Sequence, residues 1–163
     1  VYTGYTNEGL YLAFEVKSSK VAETDPRSFW DQDSAEIFID TLNDKKQRKE
    51  FSATDHQFWI CPQTNQNRVY LGRWKRNNEI PAIEYDIQGI KSFSKKTENG
   101  YIAQVLIPTS KISGLKLQKG TIIGLNIILN IKKNPEDTEV FWPNQKADKI
   151  TEKPHIWGVA EFK

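Results

Sequence analysis

Short runs of β-branched and aromatic residues, separated by turn residues, recur along the whole chain of 163 residues and constrain its fold most. Helical periodicity is weak throughout, and no unit of fixed length repeats. The predicted strands are 10–16, 33–40, 57–61, 68–74, 83–85, 90–93, 101–107, 121–131, 139–142 and 157–162. Pro62 is expected to end the third of them. This pattern predicts one all-β domain over residues 1–163, an antiparallel β-sandwich of jelly-roll or immunoglobulin-like type.

Residues that bind transition metals are scarce, since the chain has 2 His, 1 Cys and no Met. These numbers exclude a zinc site built from Cys and His, a disulfide framework and an iron–sulfur cluster. A net charge of +2 argues against a nucleic-acid partner, and no apolar run is long enough to span a membrane. Asp33 and Glu36 stand three apart on a strand and point to opposite faces, which does not suit a glycosidase. We therefore expect no enzyme activity.

Strand alternation places aromatic and polar side chains together on one face of the predicted sheet. Four strands each have one apolar side, which is the predicted core. The opposite sides carry Trp59, Tyr70, Trp74, Glu36, Gln57, Asn126 and Asn130. An aromatic ring stacks on the C–H face of a pyranose, and amides and carboxylates pair with its hydroxyls. The mixture predicts a sugar-binding face; the alternative is a second core, covered by loops or by a helix.

The segment 30–40, WDQDSAEIFID, resembles carbohydrate-binding module family 9. Other segments agree in order: LYLAFEV at 10–16, HQF at 56–58, GYIAQVLIP at 100–108, GLNI at 124–127, Trp142, and IWG at 156–158. The resemblance spans nearly the whole chain. It implies a non-catalytic jelly-roll sandwich, related to the DOMON group, that usually accompanies bacterial enzymes degrading plant polysaccharides. The family's usual first strand or two would lie before Val1.

The resemblance also implies roles for single residues. Trp30 stands where the family has the first of two Trp rings that enclose the sugar. Glu36 matches a carboxylate, and Gln57 an amide, in the same site. Trp59 replaces the family's basic residue, and the second Trp ring has no clear counterpart in 144–155. The resemblance, strand parity and the ability of an arginine guanidinium to pair with hydroxyls together give the predicted carbohydrate-binding residues: Trp30, Glu36, Gln57, Trp59, Tyr70, Arg73, Trp74 and Asn126.

The predicted ligand is an oligo- or polysaccharide, such as xylan, cellulose or a related β-glycan, or its reducing-end sugar. The resemblance implies an accessory domain of a larger bacterial protein that is secreted, periplasmic or at the cell surface. It also implies structural calcium. Carboxylates in the right part of the chain are candidate ligands: Asp31, Asp33, Asp40 and Asp44.

Two alternatives stay open at the level of sequence. A DOMON-like haem or redox domain would need His56 and His155 as paired axial ligands, because the chain has no Met; no haem is expected. A structural domain that has lost sugar binding is the other alternative.

Overall fold

The computed structural model describes residues 1–18, 20–48, 50–74, 83–132, 137–143 and 149–163. Its strands are β1 (Tyr2–Tyr5), β2 (Gly9–Lys17), β3 (Ser34–Asp40), β4 (Asp55–Gln63), β5 (Arg68–Trp74), β6 (Ile83–Glu84), β7 (Lys91–Thr97), β8 (Gly100–Pro108), β9 (Ile122–Ile131), β10 (Thr138–Trp142) and β11 (Gly158–Glu161). Short 3₁₀ turns lie at Phe29–Asp31, Thr64–Gln66, Thr109–Lys111, Ile150–Glu152 and Pro154–Ile156. In the described ranges, no helix has the length and apolar character needed to cross a membrane.

The strands form two antiparallel sheets. The four-stranded sheet has the order β1-β2-β8-β7, and the seven-stranded sheet has the order β10-β9-β3-β4-β5-β6. β11 also joins the larger sheet, where it pairs with the first half of β9 while β10 pairs with the second half. The predicted antiparallel all-β sandwich is confirmed.

Two local features differ from the expectations. β1 was not predicted, because its four residues include Gly4 and lack an alternating apolar pattern. Pro62 lies inside β4 rather than at its end. β3 pairs with β4 only as far as Ile60, so beyond that point β4 has β5 as its one sheet neighbour. A residue without an N–H group is tolerated where one side of a strand is open.

The main core lies between the two sheets. The seven-stranded sheet contributes alternate residues such as Ile37 and Leu71, and the four-stranded sheet contributes residues such as Leu12 and Val105. Two smaller clusters cover the outer face of the seven-stranded sheet, which we define as the face turned away from the other sheet. The Trp59 cluster comprises Phe29, Trp59, Cys61 and Tyr70. The Trp157 cluster comprises Phe38, Phe51, Ile128, Ile150 and Trp157.

Candidate functional site

The strand register brings the predicted site residues of the outer face into neighbouring rows. Glu36 on β3 lies opposite Trp59 on β4. Phe38 lies between Gln57 on β4 and Asn126 on β9. β9, β3, β4 and β5 are consecutive strands of one sheet, so the predicted residues of this face lie on neighbouring strands.

Trp59 is a packed residue of this face. Its side chain is 1% exposed, and its ring stacks on Phe29 with a centroid separation of 4.9 Å and an interplanar angle of 22°. Its Nε1 donates a hydrogen bond of 3.0 Å to the Pro26 carbonyl. Gly72 lies directly across on β5, where an added Cβ would stand 2.0 Å from Trp59 Cε2. The structure thus corrects the expectation that the Trp59 ring is open for stacking on a sugar, and the alternative of a covered second core applies to it.

Tyr70 and Trp74 belong to the same covered region. Tyr70 is buried, and Trp74 packs against the Trp59 cluster while remaining partly exposed. Burial, followed by the nearby Asp86 carboxylate, raises the pKa of the Tyr70 hydroxyl. The expectation of an open aromatic face is corrected for Tyr70 as well, because its side chain is buried in the Trp59 cluster.

Arg73 does not join the predicted site. It lies opposite Phe58 in the register, and Phe58 faces the core between the sheets. Because alternate residues point to opposite faces, the Arg73 side chain lies on the side away from the Trp59 cluster. Its guanidinium donates to the Glu84 carboxylate at 2.6 Å and to the Lys111 carbonyl at 3.1 Å. In the structure, Arg73 therefore forms an ion pair with Glu84 near the edge of the sheet.

Glu36 is the centre of a hydrogen-bonded group on the outer face. Its carboxylate accepts from Gln57 Nε2 at 3.1 Å and from Asn130 Nδ2 at 3.3 Å. Asn130 also donates to Ser34 Oγ at 3.0 Å, and Ser34 in turn donates to the Phe29 carbonyl at 2.8 Å. Glu36 remains partly exposed, whereas Gln57 is buried. The carboxylate is thereby held in one orientation and can accept hydrogen bonds from hydroxyl groups.

Trp30 is an exposed aromatic residue next to the Trp59 cluster, and Tyr85, which meets Trp59 edge to face, is another. Trp30 lies on the 3₁₀ turn Phe29–Asp31, and 50% of it is exposed. Phe29 is buried under it, with the two rings edge to face at a centroid separation of 5.0 Å. Since Ser34 binds the Phe29 carbonyl, the turn is fastened to the strand that carries Glu36. Within the segment 144–155, which has no clear counterpart of the family's second Trp ring, residues 144–148 lie outside the described residues.

A cleft of about 500 Å³ adjoins the Glu36 group. It is lined by Asn130, Lys132, Asp137, Glu139 and Phe141, among others. Asn130 lines this cleft and also donates a hydrogen bond to Glu36. The Glu36 carboxylate therefore lies next to the polar surface of the cleft. Strand alternation predicts that Asn130 lies on this face, like Asn126, but Asn130 is not among the predicted site residues.

Asn126 is fully buried beside Phe38. Neither its Oδ1 nor its Nδ2 has a hydrogen-bond partner among the described residues. A side chain buried in this way does not reach a ligand at the surface, so its predicted sugar contact is corrected. Its amide is instead a polar group that the fold encloses at a cost of about 1–3 kcal/mol.

The four predicted calcium ligands do not form one site. Asp31 and Asp33 precede β3, whereas Asp40 ends it and Asp44 follows, and seven residues of strand separate the pairs by roughly 23 Å. Both carboxylate oxygens of Asp33 accept backbone N–H groups, as do both of Asp40. Among the described residues, no group of three or more His, Cys, Asp or Glu is placed to hold a metal ion. Calcium binding itself stays a prediction.

The two histidines also lie apart. His56 is buried on the inner side of β4, where its ring stacks on Phe58 and its Nε2 lies 3.1 Å from the Ser113 carbonyl. His155 belongs to the turn Pro154–Ile156, whose Ile156 packs on the Trp157 cluster of the outer face. Because the sheet separates them, they do not form a pair of axial haem ligands.

Comparisons with known proteins agree with this fold. A family model described as "Carbohydrate family 9 binding domain-like" matches residues 3–163. The exoglucanase XynX of Acetivibrio thermocellus is 30% identical over 121 residues, which are 74% of this chain and 9% of that protein. The chain therefore spans only a small part of this relative.

Solved structures show the same architecture. A family 9 carbohydrate-binding module from Caldicellulosiruptor kristjanssonii, in complex with cellotriose, superposes with a TM-score of 0.64 at 18% identity, over 99% of this chain and 72% of that one. A putative carbohydrate-binding protein from Bacteroides uniformis superposes with a TM-score of 0.65 at 16% identity, over 99% and 76%. By its sequence match over residues 3–163, supported by this shared fold, the chain belongs to the carbohydrate family 9 binding domain-like family.

Proposed function

We propose that this chain is a non-catalytic module that binds a β-glycan or its reducing-end sugar through Trp30 and Glu36. The observation that carries the proposal is the half-exposed Trp30 ring on a turn fastened to the strand of Glu36. The ring offers a stacking surface for a pyranose, and the partly exposed Glu36 carboxylate, which Asn130 holds in place, can accept hydrogen bonds from its hydroxyls. Two structures similar in fold are described as complexes with cellotriose and with glucose, which makes these sugars the first ligands to test.

The arrangement supports binding rather than catalysis. A glycosidase of the common kind needs two carboxyl groups on either side of one glycosidic bond. Asp33, the nearest acidic neighbour of Glu36 in sequence, is fully buried, and backbone N–H groups occupy both of its oxygens. It therefore has no access to a glycan held at Trp30. Release of reducing sugar from cellulose or xylan by this chain alone would contradict this part of the proposal.

The expected affinity is modest. One open ring and a few solvent-exposed hydrogen bonds leave little free energy after the sugar has been ordered. A dissociation constant of about 1 mM corresponds to about 4 kcal/mol, which one ring and two or three hydrogen bonds can supply. Titration calorimetry at millimolar sugar is therefore the appropriate measurement.

The test compares the chain with three variants, using cellotriose, glucose and xylotriose. Trp30→Ala should abolish binding, and Glu36→Gln should weaken it by about tenfold or more, because a hydrogen bond to a charged group is worth about 1.5–3 kcal/mol. Trp142→Ala is the matched control, since Trp142 is a 44% exposed tryptophan on β10. Full binding by Trp30→Ala would overturn the proposed site. A chain that binds none of these sugars would instead be a structural domain without their binding function.

We also propose that the chain is an accessory domain of a longer protein that degrades or binds polysaccharides outside the cytoplasm. The match to 9% of an exoglucanase supports this placement. Detection of the parent protein in the culture medium or the envelope fraction would test the location, and its confinement to the cytoplasm would contradict it.

A further inference from the structure

The four-stranded sheet has an outer face of its own, which we call the second face. It consists of the side chains of β1, β2, β8 and β7 that point away from the core. Its aromatic residues are Tyr2, which is 64% exposed, Phe93, which is 38% exposed, and the half-buried Tyr11. Exposed aromatic rings on an open sheet face have no role in the core, and they offer a flat apolar surface to a ligand.

A cleft of about 640 Å³ lies on this second face, between Tyr11 and Phe93. The turn between β1 and β2 forms one wall of it. Thr6 and Gly9 exchange backbone hydrogen bonds across this turn, and the Glu8 carbonyl accepts from the backbone N–H of Thr109. The wall is therefore fixed before any ligand arrives, which lowers the ordering cost of binding.

Gln104 lies between the two rings. In the register it stands directly opposite Phe93, and it is two residues from Leu106, which stands opposite Tyr11. Strand spacings place the Cα atoms of Tyr11 and Phe93 roughly 12 Å apart, enough for more than one sugar ring to lie between them. Gln104 lines the cleft, and its amide makes no side-chain hydrogen bond to another described residue, so its donors and acceptor are available to a ligand there.

The charges at the rim decide the class of ligand. Lys91 and Glu8 both line the cleft, and their charged groups meet at 2.5 Å. This pairing leaves the cleft without net charge from these two side chains. Asn7 adds a neutral amide at the tip of the turn wall. A neutral ligand with apolar faces and many hydroxyls matches this surface better than an anion or a cation does.

We propose that the second face is an additional glycan-binding site, in which Tyr11 and Phe93 stack on an uncharged oligosaccharide and Gln104 binds its hydroxyls. It lies on the opposite sheet from Trp30, so it goes beyond the function proposed above and does not depend on that site. Two sites on opposite sheets would let one module contact two glycan chains.

The test uses ¹⁵N-labelled chain and follows backbone and side-chain amide shifts by NMR. Cellohexaose and xylohexaose are the neutral probes, and a hexamer of galacturonic acid is the acidic probe. The titration is done with the unaltered chain and with Trp30→Ala, which removes the first proposed site. Tyr11→Ala and Phe93→Ala should each weaken binding at the second face by about tenfold, and Gln104→Leu tests the amide without loss of volume. Lys95→Ala is the matched control, because it lies on β7 two residues beyond Phe93 and does not line the cleft.

The proposal predicts shifts around Tyr11, Phe93 and Gln104 with a neutral hexasaccharide, and these shifts persist in Trp30→Ala. Shifts confined to the surroundings of Trp30 would overturn it and leave the first site intact. A stronger response to the acidic hexamer would overturn the neutral class of ligand. Concentration-dependent shifts of the same residues without sugar would identify a contact between copies of the chain, and they would overturn the proposal as well.

Discussion

Replacing Trp59 by alanine should cost the fold about 3–5 kcal/mol, the range for truncating a buried aromatic side chain to alanine. The structure indicates where this free energy comes from. The ring is almost fully buried and stacks on Phe29, a contact worth about 0.5–1.5 kcal/mol beyond its area. The hydrogen bond from Nε1 to the Pro26 carbonyl adds about 1 kcal/mol. The rest of the cost comes from the lost burial of the ring and from the cavity that the substitution leaves between β4 and the loop that carries Phe29.

Replacing Trp30 by alanine should change the stability of the fold little but should abolish sugar binding. Half of this residue is exposed, and its ring touches Phe29 only edge to face. A substitution at such a position should change the free energy of unfolding by less than about 1 kcal/mol. Binding of cellotriose, however, should be lost, because the open stacking surface is gone. The two tryptophans thus separate the stability of the fold from its proposed function.

Urea unfolding, monitored by far-ultraviolet circular dichroism, measures the free energy of unfolding. Titration calorimetry measures the binding of cellotriose. Trp59→Phe is the variant that keeps the comparison valid if Trp59→Ala does not fold. It retains an aromatic ring beside Phe29 but loses the donor to Pro26, so it should cost about 1–2 kcal/mol and keep its affinity for cellotriose. Loss of cellotriose binding by Trp59→Phe, with stability unchanged to within about 0.5 kcal/mol, would refute the structural role of Trp59.

Gly72→Ala should destabilise the chain by more than about 2 kcal/mol in urea unfolding, because its Cβ would meet the Trp59 ring at 2.0 Å. Gly4→Ala is the control, because an added Cβ at Gly4 meets no atom of the described residues within 4 Å. Burial raises the pKa of Asp33 above its ordinary value of 3.8. A carboxyl whose pKa is higher in the folded state stabilises the fold most in acid, and this contribution is lost as pH rises through the folded pKa. The stability of the chain relative to Asp33→Asn should therefore fall as pH rises above 3.8, and a rise would contradict the sign. For calcium, we expect EDTA to lower the melting temperature and added calcium to restore it; an unchanged temperature would reject the ion.

The strands and their core sides could be predicted because both depend on neighbouring residues. Val69 and Leu71 alternate with Tyr70 and Gly72, and this local period places the first pair in the core. The predicted strand 68–74 coincides with β5. The same period, applied consistently, would also have placed Arg73 on the core side with Val69 and Leu71. Its inclusion in the site came from its chemistry and not from its parity.

The cover of the outer face could not be predicted, because it comes from residues far away in the sequence. Phe38 alternates with the core residues Ile37 and Ile39, so the pattern predicts that its side chain points outward; the side chain is nevertheless fully buried. Its ring is tilted against Trp157 at a centroid separation of 5.5 Å, and Phe51 meets Trp157 edge to face. Alternation predicts which side of a sheet a residue faces, but it does not predict whether a loop distant in the sequence packs over that side.

The adjacent residues Phe29 and Trp30 show how this limit affects the site. Both are large aromatic residues of one 3₁₀ turn, and strand parity does not apply to a turn. The turn buries Phe29 because Ser34 holds the Phe29 carbonyl and Trp59 offers its ring face from below. Trp30 is then directed outward, since the space beneath the turn is filled. The exposure of the Trp30 ring therefore depends on the rings packed beneath it, and the sugar contact proposed for Trp30 requires the support of Trp59.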